Sequence, residues 1–188
     1  MYGLVNTAVR DLIVGEHGVE VWERVCERAG LTMTQFVAME NYPDSVTYGL
    51  VGAASEILGA PPEALLEAFG QYWMKYTAEQ GYGGALEFAG SNLQEFLGNL
   101  DEMHARISLT FPELVPPSFE LEVHDDGEWE LHYHSERAGL APMVVGLLRG
   151  LAERFGESVR IEHVAPEGDG GHDRFRIHVA QARRSGAA

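Results

Sequence analysis

Cysteine is almost missing. Cys26 is the only one in 188 residues, so no internal disulfide can staple the fold. It lies in the helical run Val21, Trp22, Val25, Cys26, Ala29. A small buried hydrophobe is its expected role there, and no activating neighbour of the thiol is evident. Positive charge is scarce as well. Lys and Arg number 13 against 29 Asp and Glu, a formal net charge of −16. That balance argues against nucleic acid or an anionic membrane as partner. The Arg183–Arg184 pair is too short to reverse it. No apolar run reaches the roughly 20 residues of a membrane span. No basic leader followed by an apolar stretch opens the chain. A reducing, cytoplasmic setting is the expectation. GxSxG, paired CxxC, Walker and HExxH signatures are all lacking. The glycines around 81–84 and 168–171 form no phosphate-cradling fingerprint.

What is present is a globular chain, 45% apolar, long enough for one well-cored domain. A single domain over 1–182 is expected, with 183–188 a disordered tail. Helical stripes come first. They run through Leu4, Val5, Ala8, Val9, Leu12 and Ile13, then through Val19, Trp22, Val25 and Cys26. Asp44 or Ser45 can cap a third helix through Val46, Leu50, Val51, Ala54, Ile57 and Leu58, which Gly59 can stop. Pro61–Pro62–Glu63 opens a fourth, with the stripe Leu65, Leu66, Phe69, Tyr72, Trp73 and Tyr76. Gly81, Gly83 and Gly84 suggest a loop before a short segment around Leu86–Phe88.

Beyond Pro117 the period changes to two. Phe119, Leu121 and Val123 alternate with charged residues, Asp125–Asp126–Gly127 signals a hairpin, and Trp129, Leu131, Tyr133 and Ser135 alternate again. Met143 to Phe155 restores a helical period, with Pro142 near its first turn. Ser158–Val164 and Arg174–Val179 read as two more strands. The expected class is α+β: an N-terminal helical part, then an antiparallel four-stranded sheet in β-β-α-β-β order.

Two constellations carry chemistry. Residues 91–104 read as one amphipathic helix, opened by Ser91 with Gln94 three residues on. Leu93, Phe96, Leu97, Leu100, Met103 and Ile107 form its apolar stripe, and His104 falls on that stripe. An imidazole so placed needs something to offset its burial, most often a hydrogen bond, less often a metal. Tyr133, Ser135 and Arg137 sit at i, i+2 and i+4 and would share a strand face with Trp129 and Leu131. A buried guanidinium needs an anion. One axial histidine and an anion clamp are what a haem with two propionates requires. His132 and His134 form an HxH pair on the outer face. With no third ligand at sensible spacing, a solvated face is the expected reading. His17, His163, His172 and His178 form no motif.

These residues resemble the haem-nitric oxide/oxygen binding (H-NOX) family, which includes the haem domain of the soluble guanylate cyclase β subunit. The resemblance rests on Met1–Tyr2–Gly3–Leu4–Val5–Asn6, Gly90–Ser91–Asn92 and Asn99–Leu100–Asp101–Glu102–Met103–His104. It rests further on Tyr133-x-Ser135-x-Arg137 within Leu131–Leu140, and it spans nearly the whole chain. It implies a b-type haem buried between the helical part and the sheet, with His104 as the iron ligand and Tyr133, Ser135 and Arg137 on the propionates. Pro117 matches the family proline that presses on the porphyrin, with a plain helix-to-strand breaker as the alternative reading. Trp73 and Met143 resemble distal residues, with core packing as the alternative. Leu100, on the stripe of His104, is a further expected haem contact.

One departure matters. Oxygen-binding members carry a distal tyrosine on the helix after the signature, whereas this chain reads Gly139–Leu140–Ala141–Pro142–Met143–Val144–Val145–Gly146. The resemblance therefore implies a sensor of nitric oxide and carbon monoxide that excludes dioxygen and is not itself an enzyme. Its output would pass to a separate protein, such as a histidine kinase or a cyclic-di-GMP enzyme. A peroxidase-type haem enzyme would need a distal acid–base pair, and a haem carrier would need labile ligation.

Overall fold

The computed structural model describes residues 1–125, 127–166 and 171–180. Among the described residues, eight α-helices precede or flank one sheet: α1 Gly3–His17, α2 Val19–Arg28, α3 Asp44–Leu58, α4 Pro62–Thr77, α5 Gly83–Ala89, α6 Leu93–Gly98, α7 Leu100–Ser108 and α8 Ala141–Arg154. The strands are β1 Ser118–Val123, β2 Trp129–His134, β3 Ser158–Val164 and β4 Asp173–Ala180. They form one antiparallel sheet in the order β1-β2-β4-β3. The expected α+β class and β-β-α-β-β sequence hold. Asp126, residues 167–170 and residues 181–188 lie outside the described residues, and with them part of the expected hairpin turn, the glycine-rich connection, the arginine pair and the tail.

The apolar stripes sort into two cores. One gathers Ala8, Val9 and Ile13 of α1, Trp22, Val25 and Cys26 of α2, Leu50 of α3, and Phe69 and Tyr76 of α4. Val19, expected on the α2 stripe, is exposed because the chain has only just turned at Gly18. Burial pushes the Cys26 thiol up to about 11, so it stays protonated and inert. The other core lies between the inner sheet face and α6, α7 and α8, around Phe96, Leu97, Leu131, Leu148, Phe175 and Ile177.

Helix α4 serves both cores, because Met74 belongs to the sheet-side core while Phe69 and Tyr76 belong to the helical one. It crosses α8 at very short range. A Cβ on Gly70 would fall on the Met143 carbonyl, and one on Gly146 would fall on the backbone of Glu67. Glycine at these positions lets the two backbones approach. The buried face of α4 therefore reaches Gly70, Met74 and Thr77, beyond its large-residue stripe.

Three local expectations are corrected. The stretch with Gly81, Gly83 and Gly84 is not a loop: the chain widens into a π-helical turn over Ala78–Tyr82 and continues as α5. A single π-helical turn set between α-helical segments is the usual form of such a widening. The N-cap of α6 is Asn92, not Ser91. Asn92 Oδ1 accepts from Glu95 N–H at 2.9 Å, and Glu95 Oε2 takes the Ser91 N–H at 3.0 Å and hydroxyl at 2.7 Å. Asparagine is at least as good a cap as serine, and the carboxylate gains charge-assisted bonds. Those bonds hold the Glu95 carboxyl below its usual range. Finally, residues 91–104 are two helices broken at Asn99, whose Nδ2 donates to the Ala89 carbonyl at 2.8 Å. A side chain that bonds nearby backbone competes with helix continuation. The break makes α7, which carries His104, a short separate element.

The α4–α8 crossing makes a testable point. Gly146→Ala should destabilise the protein by about 1–3 kcal/mol through overpacking against Glu67. Gly52→Ala on α3, where a Cβ meets nothing within 4 Å, should be neutral or stabilising by up to about 1 kcal/mol. Urea denaturation of both variants checks this, and equal effects would sink the seam.

Candidate haem-binding site

A cavity of ≈ 290 Å³ lies between the two cores, near the low end of the roughly 300–1,000 Å³ usual for organic ligands. Its wall is overwhelmingly apolar. All eight residues singled out from the sequence line it: His104, Leu100, Pro117, Tyr133, Ser135, Arg137, Trp73 and Met143. They come from α7, the loop before β1, β2 and the turn after it, α4 and α8.

His104 projects from α7 beside Phe119 of β1, with ring centroids 5.8 Å apart. Phe119 in turn packs on Tyr133 at 5.3 Å. Burial pulls the imidazole pKa below its ordinary value, and the nearby Asp101 carboxylate and Pro117 backbone only partly oppose this. The ring is therefore neutral near neutrality and keeps a lone pair for a metal. Its Nδ1 is buried and has no hydrogen-bond partner. Helix α7 is tied to the sheet by Asp101, whose Oδ1 accepts the Phe119 N–H at 2.7 Å.

The other polar group differs from expectation in its backbone. Strand β2 ends at His134, so only Tyr133 is on a strand. Tyr133 is 4% exposed, and burial raises its phenol pKa despite the Ser135 hydroxyl beside it. Ser135 and Arg137 follow in a turn, where the Ser135 hydroxyl accepts the Arg137 N–H at 3.0 Å. Turn geometry, not strand alternation, returns Arg137 to the cavity mouth. Its guanidinium already has an anion. Nε donates to Asp44 Oδ2 at 2.8 Å and Nη1 to the Val115 carbonyl at 2.8 Å. Those bonds use two of the five N–H donors, which leaves others for a bound acid.

Asp44 has no place among the residues read from the sequence, where it counted as a possible cap. Pro43 is the N-cap, and Asp44 opens α3 without capping it. Its carboxylate instead joins the Met1 amino group at 2.7 Å to Arg137. Both cations hold its pKa below the usual carboxylate range. Tyr48, one turn on, donates to the Ala138 carbonyl at 2.9 Å and fixes the same turn. No spacing signal could have found these pairs, since they join segments about ninety residues apart.

Trp73 both packs and lines the cavity, stacked on Tyr76 at 6.0 Å and tilted against Phe69 at 5.8 Å. Met143 does likewise beside the glycine seam. The threonine hydroxyls of the lining are engaged elsewhere: Thr47 donates to Asn6 at 2.7 Å and Thr77 to the Trp73 carbonyl at 2.8 Å. Among the described residues of the wall, His104 is the only histidine and Arg137 the only arginine.

The donor set suits a haem: one neutral imidazole without a hydrogen bond at Nδ1, an apolar slot, and a tyrosine, serine and arginine at its mouth. Comparison with known proteins gives the class. The chain belongs to the Haem-NO-binding family, whose profile matches residues 2–163. These are H-NOX domains, haem-binding gas-sensor domains that are not catalytic themselves.

Among its relatives is the soluble guanylate cyclase gcy-35 of Caenorhabditis elegans, 32% identical over 158 residues. The match covers 82% of this chain and 23% of that protein. Gcy-37 of the same organism is 33% identical over 160 residues, again 23% of its length. The chain thus spans under a quarter of these curated relatives. In fold it is similar to an H-NOX protein from S. oneidensis crystallised in the Fe(II)NO state. The TM-score is 0.87 at 21% identity, over 96% of this chain and 100% of that one. Unliganded Fe(II) H-NOX from K. algicida superposes with a TM-score of 0.85, also at 21% identity, over 97% of this chain and 98% of that one.

The Asp44 contacts set an acid dependence. A depressed folded-state pKa contributes stability above the ordinary carboxylate value of 3.8 and loses it as pH falls through the lower folded value. The stability gap between wild type and Asp44→Asn should be constant near neutrality and close below about pH 4. Urea midpoints measured across pH test this, and a gap that widens in acid would refute it.

Proposed function

We propose that this domain is a nitric oxide sensor built on a ferrous b-type haem, with His104 the sole protein ligand to iron. Tyr133, Ser135 and Arg137 would hold the propionates, and Pro117, Leu100, Trp73 and Met143 would bound the porphyrin. The observation that carries the reading is the neutral imidazole of His104, facing an apolar cavity whose mouth bears Arg137. When bound, the haem supplies an open iron position at which nitric oxide or carbon monoxide adds.

The chain's residues set the rest. Desolvation keeps His104 unprotonated. Arg137, pre-anchored on Asp44, presents its remaining N–H groups without paying much to order them. The walls from α4 and α8 exclude water. They offer Leu140, Met143, Val144 and Leu147 where a tyrosine donor would stand in an oxygen binder. A hydrogen bond to a charged acceptor contributes about 1.5–3 kcal/mol, on the order of 10- to 150-fold in affinity. Its lack disfavours dioxygen far more than nitric oxide or carbon monoxide.

The output we propose is mechanical. Helix α7 is short, breaks from α6 at Asn99 and is held by Asp101 on β1. Release of His104 would free it, provided nitric oxide favours the released state over the held one. The receiver would be a separate protein, such as a histidine kinase or a cyclic-di-GMP enzyme. A peroxidase reading would need a second histidine on the wall, and the described lining has none.

Optical spectroscopy tests the assignment. His104→Gly should yield haem-poor protein that regains a five-coordinate ferrous spectrum with added imidazole. A wild-type spectrum without imidazole would remove His104 as ligand. Arg137→Ala should lose haem faster, by about tenfold or more per lost charge-assisted bond, and unchanged dissociation kinetics would remove the clamp. The reduced wild-type protein should respond to nitric oxide and carbon monoxide, and in air should only oxidise. A ferrous spectrum that shifts reversibly and persists in air would overturn the selectivity, and Trp73→Phe would then identify the indole as the donor.

A further inference from the structure

The solvent face of the sheet gathers three histidines that the cavity does not use. His132 and His134 lie two apart on β2, on the face opposite Tyr133. Sequence spacing offered no third partner, and the fold supplies one. His172 stands at the start of β4, where Asp173 pairs with Tyr133. His132 Nδ1 and His172 Nε2 are 2.7 Å apart. The His134 ring stacks on His172 with centroids 4.0 Å apart. Two imidazoles of β2 thus meet a third, His172, that immediately precedes β4.

Two features go beyond a chance surface cluster. His132 is 16% exposed, and its Nε2 is buried without a hydrogen bond. That nitrogen lies 3.7 Å from carboxylate oxygens of both Glu122 on β1 and Glu130 on β2. A histidine bound to a metal through one ring nitrogen commonly donates its other N–H to a carboxylate, which orients the ring and raises its basicity. His132 is placed for that arrangement, with Nδ1 on His172 and Nε2 a short side-chain movement, at 3.7 Å, from two carboxylates.

We propose that His132, His134 and His172 form a surface binding site for a divalent zinc ion, with Glu122 orienting His132. Three imidazoles, two of them two apart on one strand, suit zinc's tetrahedral preference and leave the fourth position to water. The site is empty. Among the described residues no three ligating side chains already stand in metal-binding geometry. The His132–His172 hydrogen bond must open first: zinc–nitrogen bonds of about 2.0–2.1 Å at a tetrahedral angle set the two nitrogens about 3.3 Å apart. That is about 0.6 Å wider than the present contact, within the reach of side-chain rotation. Arg174 is the nearby charge that opposes a cation, but its guanidinium is occupied by Glu130 at 3.1 Å. Glu120 on β1 is the register partner of His132 and adds negative charge to the same face. A bound ion would clip β2 to the residue just before β4, on the sheet face opposite Tyr133.

The test is calorimetric titration of the full chain with Zn²⁺, after chelation and removal of the chelator, with thermal melts alongside. The wild type should saturate at a single ion per chain, and its melting temperature should rise with zinc. His134→Ala and His172→Ala remove ligands near the surface and should each weaken binding and lose the thermal shift. Glu122→Gln should cost about tenfold or more in affinity. His124→Ala, at an exposed histidine just beyond the end of β1, should behave as wild type. Absence of saturable binding by the wild type, or binding unchanged in His172→Ala, would overturn the site.

Discussion

The close crossing of α4 and α8 is the constraint on which the rest of the structure depends. Gly70 and Gly146 let the two backbones meet without intervening side chains. Because α4 also belongs to the helical core and α8 also covers the sheet, their contact joins the two cores. The space left beside that contact is the cavity. Trp73 of α4 and Met143 of α8, beside the crossing, both line that cavity. An ion pair between Arg149 and Glu67 ties the same two helices at the surface, where such pairs add little beyond orientation.

Electrostatics then divides the cavity into a neutral interior and a charged mouth. Inside, desolvation keeps His104 uncharged. At the mouth, Asp44 neutralises Arg137 and draws in the Met1 amino group, so three distant segments meet on one carboxylate. An arginine with no counter-charge at that partly buried place would carry a desolvation penalty. With Asp44 present, the guanidinium holds its position before any acid arrives. This is preorganisation achieved with an anion from outside the signature motif.

The break at Asn99 links architecture to the proposed output. A continuous helix from residue 93 to 108 would couple His104 rigidly to Phe96 and Leu97, which are buried in the sheet-side core. Splitting it leaves α7 with Leu100 and Met103 as its buried contacts and Asp101 as its tether to β1. A short element with few anchors is the kind that can change position at modest free-energy cost.

The helix and strand order was legible in the amino-acid pattern, because hydrophobic periodicity reports directly which face of each element leaves water. His104 stood out for the same reason, as a polar residue on an apolar stripe, and Tyr133, Ser135 and Arg137 through their spacing. The local punctuation was harder. Asn99 breaks a helix that periodicity carries straight through, and the glycines at 81–84 sit in helix where composition suggested a loop. In each case a bond or a backbone widening outweighed propensity. What only the tertiary structure decided are the pairings across long stretches of chain: Asp44 with Arg137, Glu67 beneath Gly146, and His172 beside His132. Such contacts leave no local trace, because they depend on where strands and helices are placed in space and not on the spacing of residues along the chain.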